Sequence, residues 1–281
     1  MKIKEYKTQF IDALSGLYDA MEAESFFYMV LENKHNLKRI DLALQPDLAF
    51  SADEILNWDS ILAQLQNEIP IQYILGLTHF YGLEFEVNGN VLIPRPETEE
   101  LVDWIISGNS KSHNLKILDI GTGSGCIAIS LAKNLPDAAV FAIDISEKAL
   151  ATAAKNAQRN NVNVTFLQKN ILETQDLEQQ FDIIVSNPPY VRNLEKAEIK
   201  KNVLDNEPHL ALFVEDHDAL LFYRKITSLA QKNLTQTGQL YFEINQYLAK
   251  DMMDLLESSN FQSIELRKDI YGNDRMTKAQ L

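Results

Sequence analysis

The chain has 281 residues, enough for two domains with apolar cores, and its 46% hydrophobic and 23% charged composition is that of a globular protein. A formal net charge of -14 argues against indiscriminate binding to nucleic acid or to an anionic membrane. Cys126 is the single cysteine, which excludes an intrachain disulfide, and the five histidines (His35, His79, His113, His209, His217) show no metal-ligand spacing.

Asp12, Ser15 and Asp19 interrupt the apolar residues that follow the basic start Met1–Lys7, so no secretory signal is expected. No stretch approaches the roughly 20 apolar residues of a membrane span, and a cytoplasmic location is expected. Residues 1 to about 77 read as helices. Phe10, Leu14, Leu17, Tyr18 and Met21 form one apolar face, and Phe26, Phe27, Val30 and Leu31 form a second. Ser51-Ala52-Asp53-Glu54 is a capping box that opens a third helix, with Ile55, Trp58, Ile61, Leu62 and Leu65 turned inward.

Between residues 78 and 94 the period changes. Phe80, Leu83, Phe85 and Val87 precede Asn88-Gly89-Asn90, and Val91-Leu92-Ile93 follow, which predicts a hairpin around an Asn-Gly turn. Pro94-Arg95-Pro96-Glu97-Thr98-Glu99 then opens a helix through Leu101, Val102 and Ile105, with a proline and acids suited to its first turn.

From Leu115 the chain alternates strand and helix. Strands are predicted at Lys116–Ile120, Ala139–Asp144, Val162–Leu167, Phe181–Ser186, Gln239–Ile244, Ser263–Lys268 and Met276–Ala279. Helices are predicted at Ile127–Leu135, Glu147–Arg159, Ala219–Asn233 and Tyr247–Ser258. This order implies an α/β domain with a mostly parallel sheet covered on both faces.

Two motifs lie at carboxyl ends of predicted strands, where open α/β sheets bind ligands. The first is Asp119-Ile120-Gly121-Thr122-Gly123-Ser124-Gly125, whose alternating glycines allow a sharp turn and close approach of a ligand. A nicotinamide dinucleotide loop needs a further glycine where Cys126 stands. The loop instead suits a ligand with an ammonium group and no pyrophosphate, such as S-adenosylmethionine, with Asp119 facing its methionyl end. Asp144 ends the next strand, where its carboxylate suits two ribose hydroxyls, although alone it equally suits a helix start. Asn170 and Ile171 end the third strand and suit the edge and face of an adenine, with a plain turn as the alternative.

The second motif is Asn187-Pro188-Pro189-Tyr190. Two prolines stop the preceding strand because they cannot donate to its ladder. Asn187 and the Pro188 carbonyl then offer two acceptors for the hydrogens of a planar NH2 group, and Tyr190 a ring for it to stack on.

Val91-Leu92-Ile93-Pro94-Arg95-Pro96-Glu97-Thr98-Glu99, Ile117 to Ala128, Ser186 to Tyr190 and Asn206-Glu207-Pro208-His209-Leu210-Ala211-Leu212 occur in this order. Together they resemble the HemK/PrmC family of protein-(glutamine-N5) methyltransferases, along essentially the whole chain. Asn-Pro-Pro-Tyr alone is shared with adenine-N6 and other amino-methylating enzymes; the arginine-proline and Glu-Pro-His segments are more specific.

The resemblance implies a Rossmann-like S-adenosylmethionine-dependent methyltransferase domain over 95–281, with a mostly parallel seven-stranded sheet. A helical substrate-recognition domain (1–77) and a β-hairpin linker (78–94) precede it. The implied reaction methylates the Gly-Gly-Gln glutamine of class-I peptide chain release factors and leaves S-adenosylhomocysteine. Asn187, Pro188 and Tyr190 are the expected catalytic residues. Asp119, Gly121, Thr122, Gly123, Ser124, Gly125, Asp144, Asn170, Ile171 and Asn187 are expected to hold the cofactor. Pro189, Phe80 and Arg95 join the motif around the substrate, with hairpin packing as the alternative for Phe80 and a solvated ion pair with a nearby Glu for Arg95. Thr98 helps to close the site, and Glu207 and His209 shape the pocket.

No metal, no membrane, no direct nucleic-acid contact and a monomer are expected. Glutamine methylation of a ribosomal protein, or adenine-N6 methylation, is the alternative. Two positions depart from the family pattern: Asn170 stands where many relatives carry aspartate, and Asn245 where glycine is common.

Overall fold

A computed structural model describes residues 1–281. The chain divides into two units: Met1–Gly76 with Lys201–Asn206, and Leu77–Lys200 with Glu207–Leu281.

The first unit is helical, with helices Ile3–Leu14, Ala20–His35, Arg39–Leu44, Ala52–Gln66 and Ile71–Leu75. Its core gathers around Trp58, which meets Tyr6, Phe10, Phe27 and Phe50 with ring centroids 4.8–5.7 Å apart. The predicted capping box is present: Ser51 Oγ accepts from the Glu54 N–H, and Glu54 accepts from the Ser51 N–H. The first apolar face ends early. Its helix stops at Leu14, and Asp19 caps a new one by accepting the Met21 and Glu22 N–H groups. Leu17 and Met21 therefore lie outside the core, Met21 with 81% of its surface exposed. Lys201–Asn206 is a short helix whose Asn206 Nδ2 donates to the Glu68 carbonyl.

The second unit opens with a hairpin of Leu77–Phe80 and Leu83–Glu86. Its turn is Tyr81-Gly82, both residues at positive φ, and not the predicted Asn88-Gly89-Asn90. Asn156 explains the difference: it accepts the Glu86 N–H at 2.6 Å and donates to the Glu86 carbonyl at 3.0 Å. Both backbone groups of the strand's last residue are thereby taken, and Val91–Ile93 does not pair. The Phe80 and Phe85 rings, buried and edge to face, belong to the core.

The main sheet has seven strands in the spatial order Gln262–Lys268, Asp274–Gln280, Leu234–Glu243, Phe181–Ser186, Lys116–Ile120, Ala139–Asp144 and Thr165–Gln168. The last five are mutually parallel, and the two carboxyl-terminal strands pair antiparallel. Alternate residues feed two cores. Leu118, Ile120, Ile184, Leu240 and Phe242 pack with Tyr223, Ile226 and Met252 of the later helices. Ile117, Ile183, Val185 and Tyr241 pack with Leu101, Ile105, Ile127 and Leu131 of the earlier ones. The third parallel strand starts at Thr165, three residues later than predicted, and Leu234–Glu243 starts five residues earlier. From Lys116–Ile120 the chain first winds toward Thr165–Gln168 and then returns to Phe181–Ser186 on the other side. This switch opens a crevice at the carboxyl ends of the two adjacent strands. No helix is long and apolar enough to cross a membrane.

Candidate active site

The glycine loop follows Lys116–Ile120 directly and carries φ of 76° at Gly121, 55° at Gly123 and 84° at Gly125. A Cβ at Gly121 or Gly123 would meet no protein atom within 4 Å, and both residues line the cavity. A Cβ at Gly125 would meet Ile129 Cδ1 at 2.8 Å and Ala153 Cβ at 3.1 Å. Two glycines therefore leave room for a ligand, while the third lets helices Cys126–Asn134 and Glu147–Arg159 pack closely.

Asp119 is fully buried and does not line the cavity. Its Oδ2 accepts the Thr122 hydroxyl at 2.6 Å and the Ala128 N–H at 3.3 Å, so the carboxylate holds the loop in shape. Its Oδ1 has no partner, and burial pushes the carboxyl pKa up to about 7. The room left at Gly121 and Gly123, with the Asp144 carboxylate on the same cavity wall, fits a ligand that presents hydroxyls or an ammonium group rather than a pyrophosphate.

Asp144 lines the cavity at the end of the next strand. Its Oδ2 accepts the Gly123 N–H and its Oδ1 the Ser146 N–H, each at 2.9 Å. The acid thus fixes the loop and the start of helix Glu147–Arg159, and each oxygen keeps a lone pair for a hydroxyl. Asn170 and Ile171 also line the cavity. Asn170 Oδ1 accepts the Leu172 N–H at 3.1 Å, closing a local turn.

Asn187, Pro188 and Pro189 form the part of the wall nearest the switch point, with Arg95 and Thr98. Asn187 Nδ2 donates to Thr98 Oγ1 at 3.3 Å, and Thr98 donates to Glu243 Oε2 at 2.6 Å. Tyr190 Oη donates to Glu243 Oε1 at 3.1 Å. Glu243 is buried, which raises its carboxyl pKa above the ordinary value, and burial beside Glu243 also raises the Tyr190 phenol. Arg95 donates to Glu207 Oε1 at 2.6 Å, and Glu207 Oε2 accepts the Ile93 N–H at 3.2 Å.

Most of the predicted residues therefore gather around one cavity: Gly121, Thr122, Gly123, Ser124, Asp144, Asn170, Ile171, Asn187, Pro188, Pro189 and Arg95. Four stand behind it. Asp119 and Gly125 build the loop; Phe80 is a core residue against Phe85; and Tyr190, partly buried, turns its hydroxyl to Glu243 and offers the cavity no wall. Glu243 belongs to neither sequence motif. Its signal was an acid directly after Leu240-Tyr241-Phe242, at the exit of a core strand.

A mostly parallel seven-stranded sheet with a glycine loop and an Asn-Pro-Pro-Tyr turn on either side of its switch point is the architecture of the S-adenosylmethionine-dependent methyltransferases, and this chain is one of them. Residues 103–211 match the family described as methyltransferase small domain, and residues 8–76 match the PrmC N-terminal domain. The chain is 67% identical over 281 residues to the release factor glutamine methyltransferase of Flavobacterium psychrophilum, covering 99% of each chain. It is 45% identical over 268 residues to that of Bacteroides thetaiotaomicron, covering 95% of this chain and 96% of the relative. A methyltransferase structure from Pyrococcus furiosus shares the fold, with a TM-score of 0.53, 19% identity and coverage of 78% of this chain and 95% of the other. The chain belongs to the release factor glutamine methyltransferase family.

Proposed function

We propose that this enzyme methylates the side-chain nitrogen N5 of the Gly-Gly-Gln glutamine in class-I peptide chain release factors, in the cytoplasm. The observation that carries the reading is the state of Asn187. Its amide nitrogen is engaged by Thr98, no protein donor meets its Oδ1, and it lines the cavity beside the Pro188 backbone.

The glycine loop, Asp144, Asn170 and Ile171 would hold S-adenosylmethionine, which would supply an electrophilic methyl group and leave as S-adenosylhomocysteine. The chain's own residues deal with the acceptor. An amide nitrogen is a poor nucleophile because its lone pair is delocalised into the carbonyl. Asn187 Oδ1 and the Pro188 carbonyl accept its two hydrogens, fix its rotation and draw electron density toward the nitrogen. That nitrogen loses one proton, to solvent water, as or after it gains the methyl and the sulfur–methyl bond breaks. Alignment of this kind contributes roughly 7–11 kcal/mol in favourable cases. Tyr190 supports the turn through Glu243, and Arg95 with Glu207 fixes the segment that closes the pocket. The helical unit serves to recognise the protein substrate away from the glutamine.

Mass spectrometry of a class-I release factor after incubation with enzyme and S-adenosylmethionine tests the proposal. One added methyl on the Gly-Gly-Gln glutamine, absent with Asn187→Ala, is expected. No methyl despite bound cofactor overturns it and redirects the search to ribosomal proteins and then to nucleic acid.

A further inference from the structure

We propose that Glu243 is a positioning residue for the transfer: acting through Thr98, it decides which end of the Asn187 amide faces the cavity. This rests on the amide-methylation reading above and adds a residue to it.

A carboxylate only accepts hydrogen bonds. Glu243 Oε2 therefore takes the single hydroxyl proton of Thr98, at 2.6 Å. With that proton spent, Thr98 Oγ1 can only accept, and the group it faces at 3.3 Å is the Asn187 side chain. The NH2 end of Asn187 satisfies it and the oxygen end does not. Oδ1 is left for the cavity, where an acceptor is needed for the substrate's N–H bond. In the reversed amide the NH2 of Asn187 would meet the NH2 of the substrate, donor against donor.

The hub is fixed from several sides. Tyr190 Oη occupies Glu243 Oε1 at 3.1 Å, and Tyr223 Oη holds the Glu243 backbone carbonyl at 3.0 Å. The neighbouring strand pairs Met276 with Glu243; burial pushes the Glu243 carboxyl up, and the hydrogen bonds from Thr98 and Tyr190 and the charge of Arg275 oppose that push. Thr98 and Glu243 are both buried, so water does not compete for either bond.

The test uses the full chain labelled with 15N-asparagine. The Asn187 side-chain NH2 signal is identified by its loss in Asn187→Ala. It is expected to exchange slowly with solvent in the wild type and in Thr98→Ser, and roughly tenfold or more faster in Thr98→Val and Glu243→Ala. In parallel, kcat on the release factor should fall roughly 10- to 100-fold in Thr98→Val with little change in the KM for S-adenosylmethionine, and Thr98→Ser should restore it. Thr98→Val, nearly isosteric, keeps the test decisive if Glu243→Ala does not fold. A Thr98→Val enzyme with wild-type exchange and wild-type kcat overturns the proposal. If the wild type leaves release factor unmethylated while the Asn187 signal still responds to Thr98 and Glu243, the substrate reading falls and the positioning role stands. If methylation proceeds and the signal does not respond, the positioning role falls alone.

Discussion

The Arg95 guanidinium reaches the Glu207 carboxylate at 2.6 Å across 112 positions of chain. The Glu207 side chain is only 1% exposed and that of Arg95 32%, so the acid is the partner with more to lose. Removing the arginine leaves a buried charge with the Ile93 N–H as its one remaining donor. Arg95→Ala should destabilise the protein by roughly 3 kcal/mol in denaturant unfolding. Adding Glu207→Gln should recover much of this, because a neutral amide tolerates the site better. Additive losses in the double variant would contradict this account.

The glycines of the loop should respond differently to the same substitution. Gly125→Ala places a methyl 2.8 Å from Ile129 Cδ1 at a φ of 84° and should cost roughly 1–3 kcal/mol of stability. Gly121→Ala meets no protein atom and should cost about 1 kcal/mol of backbone strain. Its methyl enters the cavity, however, so calorimetric affinity for S-adenosylmethionine should fall by more than roughly tenfold, on the order of 1.4 kcal/mol. Thermal melts with titrations on both variants separate the two effects.

Asp119 should make the ligand-free enzyme more stable in mild acid than in mild base. Burial lifts its carboxyl from 3.8 to about 7, so the folded state binds the proton more tightly than the unfolded chain does. Stability from this group is complete below the unfolded pKa and is lost as pH rises to the folded one. Between about pH 6 and pH 8 the wild type should lose stability, on the order of 1 kcal/mol, relative to Asp119→Asn. Paired denaturant melts of the two proteins at both pH values read this difference directly; parallel pH profiles would rule it out.

Asn187→Ala removes the acceptor for the substrate amide and leaves the glycine loop and Asp144 intact. Turnover should drop by roughly 100-fold or more, while cofactor affinity stays within a few-fold. Single-turnover kinetics with calorimetry check both halves, and a fully active variant would remove Asn187 from the mechanism.

The reach of local pattern is visible in where it failed. The Asn88-Gly89-Asn90 stretch does turn, with the Val91 N–H donating to the Asn88 carbonyl, yet the strands pair around Tyr81-Gly82, and Asn156 closes the backbone of Glu86. Leu17 and Met21 continue the spacing of Phe10 and Leu14, but Asp19 starts a new helix and leaves them outside. The motif places the Tyr190 ring near the turn, but nothing in it reveals that the hydroxyl donates to an acid 53 positions away.

The sequence by itself determined the strand and helix order, the glycine loop, the Asn-Pro-Pro-Tyr turn and the family likeness. Each of these is written in neighbouring residues, where period, proline geometry and glycine's positive φ act locally. Tertiary structure alone decided that Thr98 stands between Asn187 and Glu243, and that Arg95 meets Glu207. Those pairs lie 89, 145 and 112 positions apart, and no spacing rule links them. A buried carboxylate takes whatever donor the closed core brings within reach. Its partner is fixed only once the sheet has brought the carboxyl ends of its strands together.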